Sequence, residues 1–261
     1  VERHLIIGAG NLGLDLELAL KESGCSYVRT IATKLTSEDY SSIFHLHKPD
    51  YVWITAGAGS VESCNLDPSK AIKTHVNLVL DVLTNTKAKV ICFSTNYAVN
   101  EQHPTDIARK VAHPTSFYVD TKIMMESVVR RFGVGRAWVV RVANLYGSHY
   151  PEKCFYKKIE GKKDLTLPVN EMVPTSTKIL AKKLVDNLNA ITRTFNPIVH
   201  AVPEGSTNAA EYARLILGPS ANVNEAYEDL TRGKHAQIGC SHFPWESTWL
   251  DDWRKYVQEN R

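Results

Sequence analysis

The sequence predicts an α/β fold, a doubly wound parallel sheet with a smaller C-terminal lobe, and three observations predict it. Short, continuous apolar runs alternate with amphipathic stretches through the first half of the chain; a glycine-rich turn directly follows the first of those runs; and the rhythm loosens after Gly147. Apolar strands without polar alternation are buried on both faces, the pattern of a parallel sheet covered by helices. In such sheets ligands bind beyond the carboxyl ends of the strands.

His4-Leu5-Ile6-Ile7 reads as the first strand, followed by the glycine turn and a helix over about residues 12–22. Residues 26–31 read as the second strand, and Ser37 as the cap of a helix running to about His47, with Pro49-Asp50 ending the connection. Tyr51-Val52-Trp53-Ile54 is the third strand. A long helix over about 68–83 follows, with Pro68 in the first turn, where a missing N–H costs nothing. Residues 89–93 form the fourth strand, ending at Ser94-Thr95, and residues 96–115, with Pro104 and Pro114, read as a surface loop. A helix over 117–131 and a fifth strand over 137–140 complete the first part. Beyond it, helical signals appear at 154–160, 176–190 and 208–217, with a strand near 197–202 returning to the sheet. The expected division is therefore 1–147 and, mainly as a separate lobe, 148–261. Trp245, Trp249 and Trp253 fall at spacing four, which predicts one helical face covering apolar surface, with a carbohydrate-stacking platform as the alternative.

Composition narrows the class. A chain of 261 residues accommodates one α/β domain with a smaller lobe, and 43% hydrophobic with 23% charged residues is ordinary globular usage. The formal charge of +3 is small and the basic residues are scattered, so nucleic acid is not an expected partner. With no run of eighteen or more apolar residues, no membrane span is expected. The N-terminus, which lacks an initiator Met, enters a strand pattern without the charged-then-apolar layout of a signal peptide. Five cysteines (Cys25, Cys64, Cys92, Cys154 and Cys240) are odd in number and widely spaced, with no CxxC pair; neither a metal site nor a disulfide framework is expected, and reduced cytoplasm is the natural compartment. Cys92, inside an apolar strand, reads as a small buried hydrophobe.

Gly8-Ala9-Gly10-Asn11-Leu12-Gly13 lies between the first strand and the first helix. Glycines there let the backbone turn tightly and approach a pyrophosphate, while the helix N-terminus supplies amide donors and a positive dipole. This is the Rossmann arrangement, and Gly8, Gly10, Asn11, Leu12 and Gly13 are candidate cofactor contacts, with Ala56, Gly57 and Ala58 beside them where the third strand ends. An NAD-binding fold usually carries an acid at the end of its second strand. Here Arg29 stands in that region with no acid near it, which favours NADP through a 2′-phosphate; a solvated strand arginine is the alternative, and NAD remains possible.

Tyr118 and Lys122 are four apart on a predicted helix and share a face. Of 11 tyrosines, Tyr118 is the one followed by lysine at the fourth position. Reduction of a ketone requires a proton at oxygen as hydride reaches carbon. A neighbouring ammonium favours the phenolate, which predicts a phenol acidified toward the working pH. Thr95, ending the fourth strand, can donate a hydrogen bond to the same carbonyl. Thr95, Tyr118 and Lys122 are the candidate catalytic set, with Tyr118 and Lys122 also touching the cofactor.

Taken together, Gly8–Gly13, Lys48-Pro49-Asp50, Asn77, Ser94-Thr95-Asn96-Tyr97, Tyr118 with Lys122, and the segment from Arg141 to Gly147 resemble the extended short-chain dehydrogenase/reductases over nearly the whole chain. Within them the sequence is most similar to the dTDP-4-dehydrorhamnose reductase branch and, more loosely, to GDP-fucose synthase. The resemblance implies NAD(P)H-dependent reduction of a keto group on a nucleotide-linked 4-keto-6-deoxy sugar, a possible homodimer, and substrate contacts at Thr95, Asn96, Asn144 and Thr175. The departures are specific. Only Ala9 separates the first two glycines, Asn96 replaces an Asp, and Asn144 stands where the branch tends to have Trp. The Asp-Glu pair of the sugar dehydratases does not follow Thr95. Two further readings come from the same resemblance: a non-catalytic dinucleotide-binding regulatory subunit, as in methionine adenosyltransferase, and a sugar-nucleotide epimerase.

Overall fold

The structure is a computed structural model that describes residues 2–31, 37–98, 116–226 and 245–260. Along the chain run β1 (Arg3–Ile7), α1 (Asn11–Glu22), β2 (Tyr27–Ile31), α2 (Ser37–His47) and β3 (Tyr51–Ile54). Next come α3 (Val61–Leu66), α4 (Pro68–Ile72), α5 (Leu78–Asn85), β4 (Lys89–Thr95), α6 (Phe117–Phe132) and β5 (Ala137–Val142). The remainder comprises β6 (Asn144–Tyr146), α7 (Phe155–Ile159), β7 (Asp164–Pro168), β8 (Glu171–Met172), β9 (Pro174–Ser176), α8 (Thr177–Asp186) and α9 (Leu188–Arg193). It ends with β10 (Ile198–His200), β11 (Thr207–Asn208), α10 (Ala209–Leu217), β12 (Asn222–Ala226) and α11 (Trp249–Asn260).

Six strands form one sheet in the order β10-β5-β4-β3-β1-β2, and every pairing is parallel. The chain moves outward from β1 to β2, then returns to lay β3 on the other side of β1. That reversal opens a crevice at the carboxyl ends of β1 and β3, where doubly wound sheets bind ligands. Successive side chains alternate faces, so Ile6 joins Leu16, Leu20, Leu180 and Leu184 on one side, while Leu5 and Ile7 join Val79, Val82, Met125 and Val129 on the other. The doubly wound α/β fold expected from the apolar runs is the one observed.

More of the second half returns to the sheet than the single strand expected. The helices α8 and α9, with Leu180, Leu184 and Ile191, cover the sheet beside α1, and β10 pairs with β5 at its edge. A separate aromatic core of Tyr146, Tyr212, Trp253 and Tyr256 holds the C-terminal lobe. Three two-stranded pairings, β6 with β9, β7 with β12 and β8 with β11, stitch it.

Two sequence expectations need correction. The helix expected over 68–83 is interrupted by a π turn, Lys73–Asn77, between α4 and α5. The three tryptophans do not share one helical face. Trp245 precedes α11 and packs in the sheet-side core, its indole N–H donating to Asp252 Oδ2 at 3.0 Å, whereas Trp253 belongs to the aromatic core of the lobe. Of the loop expected over 96–115, residues 96–98 form a 3₁₀ turn; Pro104 and Pro114, like Cys240, lie outside the described residues. Cys25, Cys64, Cys92 and Cys154 are free thiols. Among the described residues no helix is long and apolar enough to cross a membrane, and no cluster of His, Cys, Asp or Glu suited to a metal ion occurs.

Candidate active site

The glycine loop is built for close approach. Gly8 adopts φ 123°, a conformation side chains resist, and a Cβ there would come within 2.6 Å of Ala56 N. A Cβ on Gly13 would overlap the Gly8 carbonyl oxygen, which Thr55 Oγ1 braces from the other side at 2.7 Å. Gly10 begins α1 with no side-chain cap and has open space where a Cβ would stand. An uncapped helix N-terminus facing that space suits an anionic group, so the loop fits the pyrophosphate of a dinucleotide. Thr55 N and Ala56 N both donate to the Ile7 carbonyl oxygen at 3.0 Å, holding the β3 loop, with Gly57, beside the glycine loop.

Some of the cofactor candidates serve otherwise. Leu12 is buried in the core, leaving its backbone as its contribution. The Asn11 side chain turns to the lobe: its Oδ1 accepts from Tyr150 N at 2.7 Å and its Nδ2 donates to Tyr150 O at 3.3 Å. Arg29 lies exposed in mid-β2, opposite Leu5, its guanidinium 6.0 Å from the ring centre of Tyr27. Tyr27 opens the strand, so the structure does not bring Arg29 to the glycine loop.

Thr95, Tyr118 and Lys122 come together at the ends of β4 and α6. Ser116 caps α6, accepting from Val119 N and setting where the helix begins. Lys122 is buried and donates to the Phe93 carbonyl oxygen at 2.9 Å, its ammonium 5.9 Å from the Tyr118 ring centre. Burial lowers its pKa from 10.5 to about 8. The acidified phenol expected from the sequence is not what the structure shows. Burial raises the Tyr118 pKa above its ordinary value, Tyr97 adds to the rise, and a hydrogen bond with Thr95 opposes it. The phenol is a protonated acid near neutral pH.

A cleft of about 550 Å³ opens over Thr95 and Tyr118, with Asn96, Tyr97 and Asn144 on the sheet side and Phe155, Tyr156, Met172 and Tyr212 on the lobe side. Asn96 is buried in its wall. Asn144 bridges the two halves: its Nδ2 donates to the Tyr97 phenol oxygen at 3.3 Å and its Oδ1 accepts from Val173 N at 3.2 Å. Thr175 is the exception among the substrate candidates. It is fully buried in β9, donates to the Val173 carbonyl oxygen at 3.0 Å, and does not line the cleft. A larger groove of about 890 Å³, between α7 and α11, contains none of the catalytic candidates.

Beneath the cleft runs a buried network. Glu126 accepts from Arg141 Nε at 2.9 Å and Nη2 at 2.7 Å, and from Ser94 Oγ at 2.7 Å. Glu126 continues the Tyr118–Lys122 spacing by four more residues, so the periodicity that marks Lys122 also marks it. Tyr97, in the Ser-Thr-Asn-Tyr segment, joins the cleft wall beside Asn144.

Comparison with solved structures finds the same architecture in a dTDP-4-dehydrorhamnose reductase of Clostridium acetobutylicum, at TM-score 0.80 and 20% identity over 98% of each chain. A dTDP-4-dehydrorhamnose reductase of Bacillus anthracis in complex with NADP gives 0.81 and 18% over 99% of each. A UDP-glucuronic acid 4-epimerase of Bacillus cereus, in complex with UDP-glucuronic acid and NAD, gives 0.76 and 15% over 99% of this chain and 100% of the other. Comparison with curated protein sequences finds no match. At these identities the structures establish shared architecture, and the family follows from the sequence pattern itself: residues 3–257 match the model of the RmlD substrate binding domain, and the chain belongs to that family.

Proposed function

We propose that the protein reduces a keto group on a nucleotide-linked sugar, a 4-keto-6-deoxy hexose, using NAD(P)H. The observation that carries this reading is the Tyr118 phenol, held protonated by burial and hydrogen-bonded to Thr95 in a cleft at the carboxyl ends of the sheet. A reductase requires a protonated acid at the carbonyl oxygen, and a half-buried phenol lining the cleft meets that requirement.

Gly8, Gly10, Gly13 and the α1 N-terminus would hold the dinucleotide, with Ala56 and Gly57 along its path. The bound nicotinamide supplies hydride to the keto carbon. Thr95 orients the carbonyl oxygen through its hydroxyl, and Tyr118 delivers the proton to that oxygen. Lys122, anchored on Phe93, places a positive charge under the phenolate that results. Asn144 and Tyr97 face the sugar across the cleft, and the lobe formed mainly by residues 148–261 closes over the nucleotide. NADP is the favoured cofactor, supported by the NADP complex of the Bacillus anthracis neighbour, and NAD remains compatible with the loop. The enzyme acts in the cytoplasm, on a nucleotide-sugar substrate.

The test is oxidation of NADPH and NADH, followed at 340 nm, against a panel of keto sugar nucleotides, with wild type and Tyr118→Phe. Stoichiometric cofactor consumption that Tyr118→Phe abolishes, with dinucleotide binding retained, supports the reading. Conversion without net consumption indicates an epimerase; binding without conversion indicates a regulatory subunit.

A further inference from the structure

His75 sits where the loop after β3 meets the helix that carries Tyr118. It occupies the middle of the π turn Lys73–Asn77 and is 1% exposed. A π turn widens the helix by a residue, and such widenings recur at functional sites. Its Nε2 lies 3.1 Å from Ala58 N, which can only donate, so that nitrogen carries no proton. Its Nδ1 lies 2.9 Å from Thr121 Oγ1, and Thr121 in turn donates to the Tyr118 carbonyl oxygen at 2.8 Å. The chain of donors therefore has one direction: Ala58 N–H to Nε2, Nδ1–H to Thr121, Thr121 O–H to Tyr118. The imidazole also stands edge-on to the Tyr118 ring, centres 5.6 Å apart at 82°. Burial, with the Lys122 charge adding to it, lowers the His75 pKa to about 2, so the ring stays neutral and the tautomer fixed.

We propose that His75 is a positioning residue that ties the cofactor-side loop at Ala58 to the first turn of α6 and so fixes the Tyr118 phenol relative to Thr95 and the nicotinamide. The inference rests on the reductase reading. Any buried imidazole needs partners for its nitrogens; what sets His75 apart is that its two partners belong to two different segments, both adjoining Tyr118. Here the two partners lie 17 and 46 residues away in sequence, one on the loop after β3 and the other on α6. A buried imidazole is tolerated when both nitrogens are satisfied, and a phenol displaced by about 1 Å from its reacting partner loses about 100-fold in rate.

The test compares His75→Phe, His75→Asn and His75→Gln by thermal melting and steady-state kinetics. Phe keeps the volume and loses both bonds; kcat is expected to fall about 100-fold, with a higher KM for the dinucleotide. Asn places a donor where Nδ1 stands and restores kcat; Gln places an acceptor near Nε2 and restores the dinucleotide KM. Folded His75→Phe with unchanged kcat and KM overturns the proposal. Should Phe fail to fold, the split between Asn and Gln decides, and equal losses in both parameters from both variants overturn it. Should wild type reduce no keto sugar nucleotide, the reductase reading falls, and the Tyr118 ring judges His75 instead, through its ¹³Cζ and ring-proton chemical shifts at neutral pH, assigned through Tyr118→Phe. Displaced shifts in the folded variants support the positioning role, and identical ones overturn it.

Discussion

Lys122 donates its buried ammonium to the Phe93 carbonyl oxygen at 2.9 Å, two residues before Thr95 on the same strand. The cation is thereby fixed to the strand that presents the hydroxyl, and α6 cannot slide against β4 without breaking this bond. The anchoring costs stability. A lysine with pKa about 8 instead of 10.5 carries about 3 kcal/mol of burial cost while charged.

The sign of that cost gives a pH prediction. Below about pH 8 both folded and unfolded Lys122 are protonated, and the folded state bears the whole cost. Between about 8 and 10.5 the unfolded chain holds the proton that the folded one has released, so this group makes stability rise with pH. Lys122→Met removes the cost but leaves the Phe93 oxygen without this donor, worth about 1 kcal/mol. The variant is expected to be more stable than wild type by about 2 kcal/mol at pH 7, to lose that advantage by pH 10, and to be inactive. Urea denaturation of both proteins at the two pH values measures the difference; an advantage that grows with pH contradicts the assignment.

Gly10 and Gly13 separate binding from folding. A Cβ on Gly10 meets nothing within 4 Å, whereas one on Gly13 overlaps the Gly8 carbonyl oxygen. Gly10→Ala is expected to keep its melting temperature and to weaken dinucleotide binding by tenfold or more, order of magnitude, because the methyl enters the space the phosphates need. Gly13→Ala is expected to lower both stability and binding. Calorimetric titration with NADPH beside thermal melting distinguishes them, and equal melting losses in both variants would contradict the open space at Gly10.

The Glu126–Arg141 pair is completely desolvated on the arginine side, with Arg141 0% exposed. Among the described residues its Nη1 has no hydrogen-bond partner, so the two bonds to Glu126 carry the compensation. Glu126→Leu leaves the guanidinium buried and unpaired and is expected to destabilise by about 3–5 kcal/mol; the double variant with Arg141→Met recovers most of that loss. A double-mutant cycle by chemical denaturation checks this, and additive losses would show that the pair is not coupled.

The sheet and the helix that carries Tyr118 are legible because their signals are local. Continuous apolar runs mark β1, β3, β4 and β5, and a single helical spacing links Tyr118 to Lys122 and onward to Glu126. His75 gave no such signal, since the π turn adds a residue to the period and hides the inward face. Asn11 and Tyr150 are 139 residues apart, Asp15 and Thr177 are 162 apart, and contacts of that kind leave no periodic trace in the chain. Arg29 falls where the sequence puts it, inside the second strand, but spacing alone does not show that its side chain lies toward Tyr27 at the start of that strand. The phenol's acidity departs from the expectation because spacing reveals a neighbouring lysine but not the desolvation that raises the phenol's pKa.

Asn144 and Thr175 were both substrate candidates, and the structure separates them. Asn144 lines the cleft and is hydrogen-bonded to Tyr97 and Val173, so Asn144→Ala is expected to raise the KM for the sugar nucleotide about tenfold, the loss of roughly one good hydrogen bond, with a smaller fall in kcat. Thr175 spends its hydroxyl on the Val173 carbonyl oxygen in a fully buried site. Thr175→Val keeps the shape and is expected to cost about 1 kcal/mol of stability with KM unchanged. Steady-state kinetics on the two variants, each checked by melting, decides between them. A larger KM effect from Thr175→Val than from Asn144→Ala would mean that the sugar lies deeper, against β9, and that the cleft over Thr95 is not where it binds.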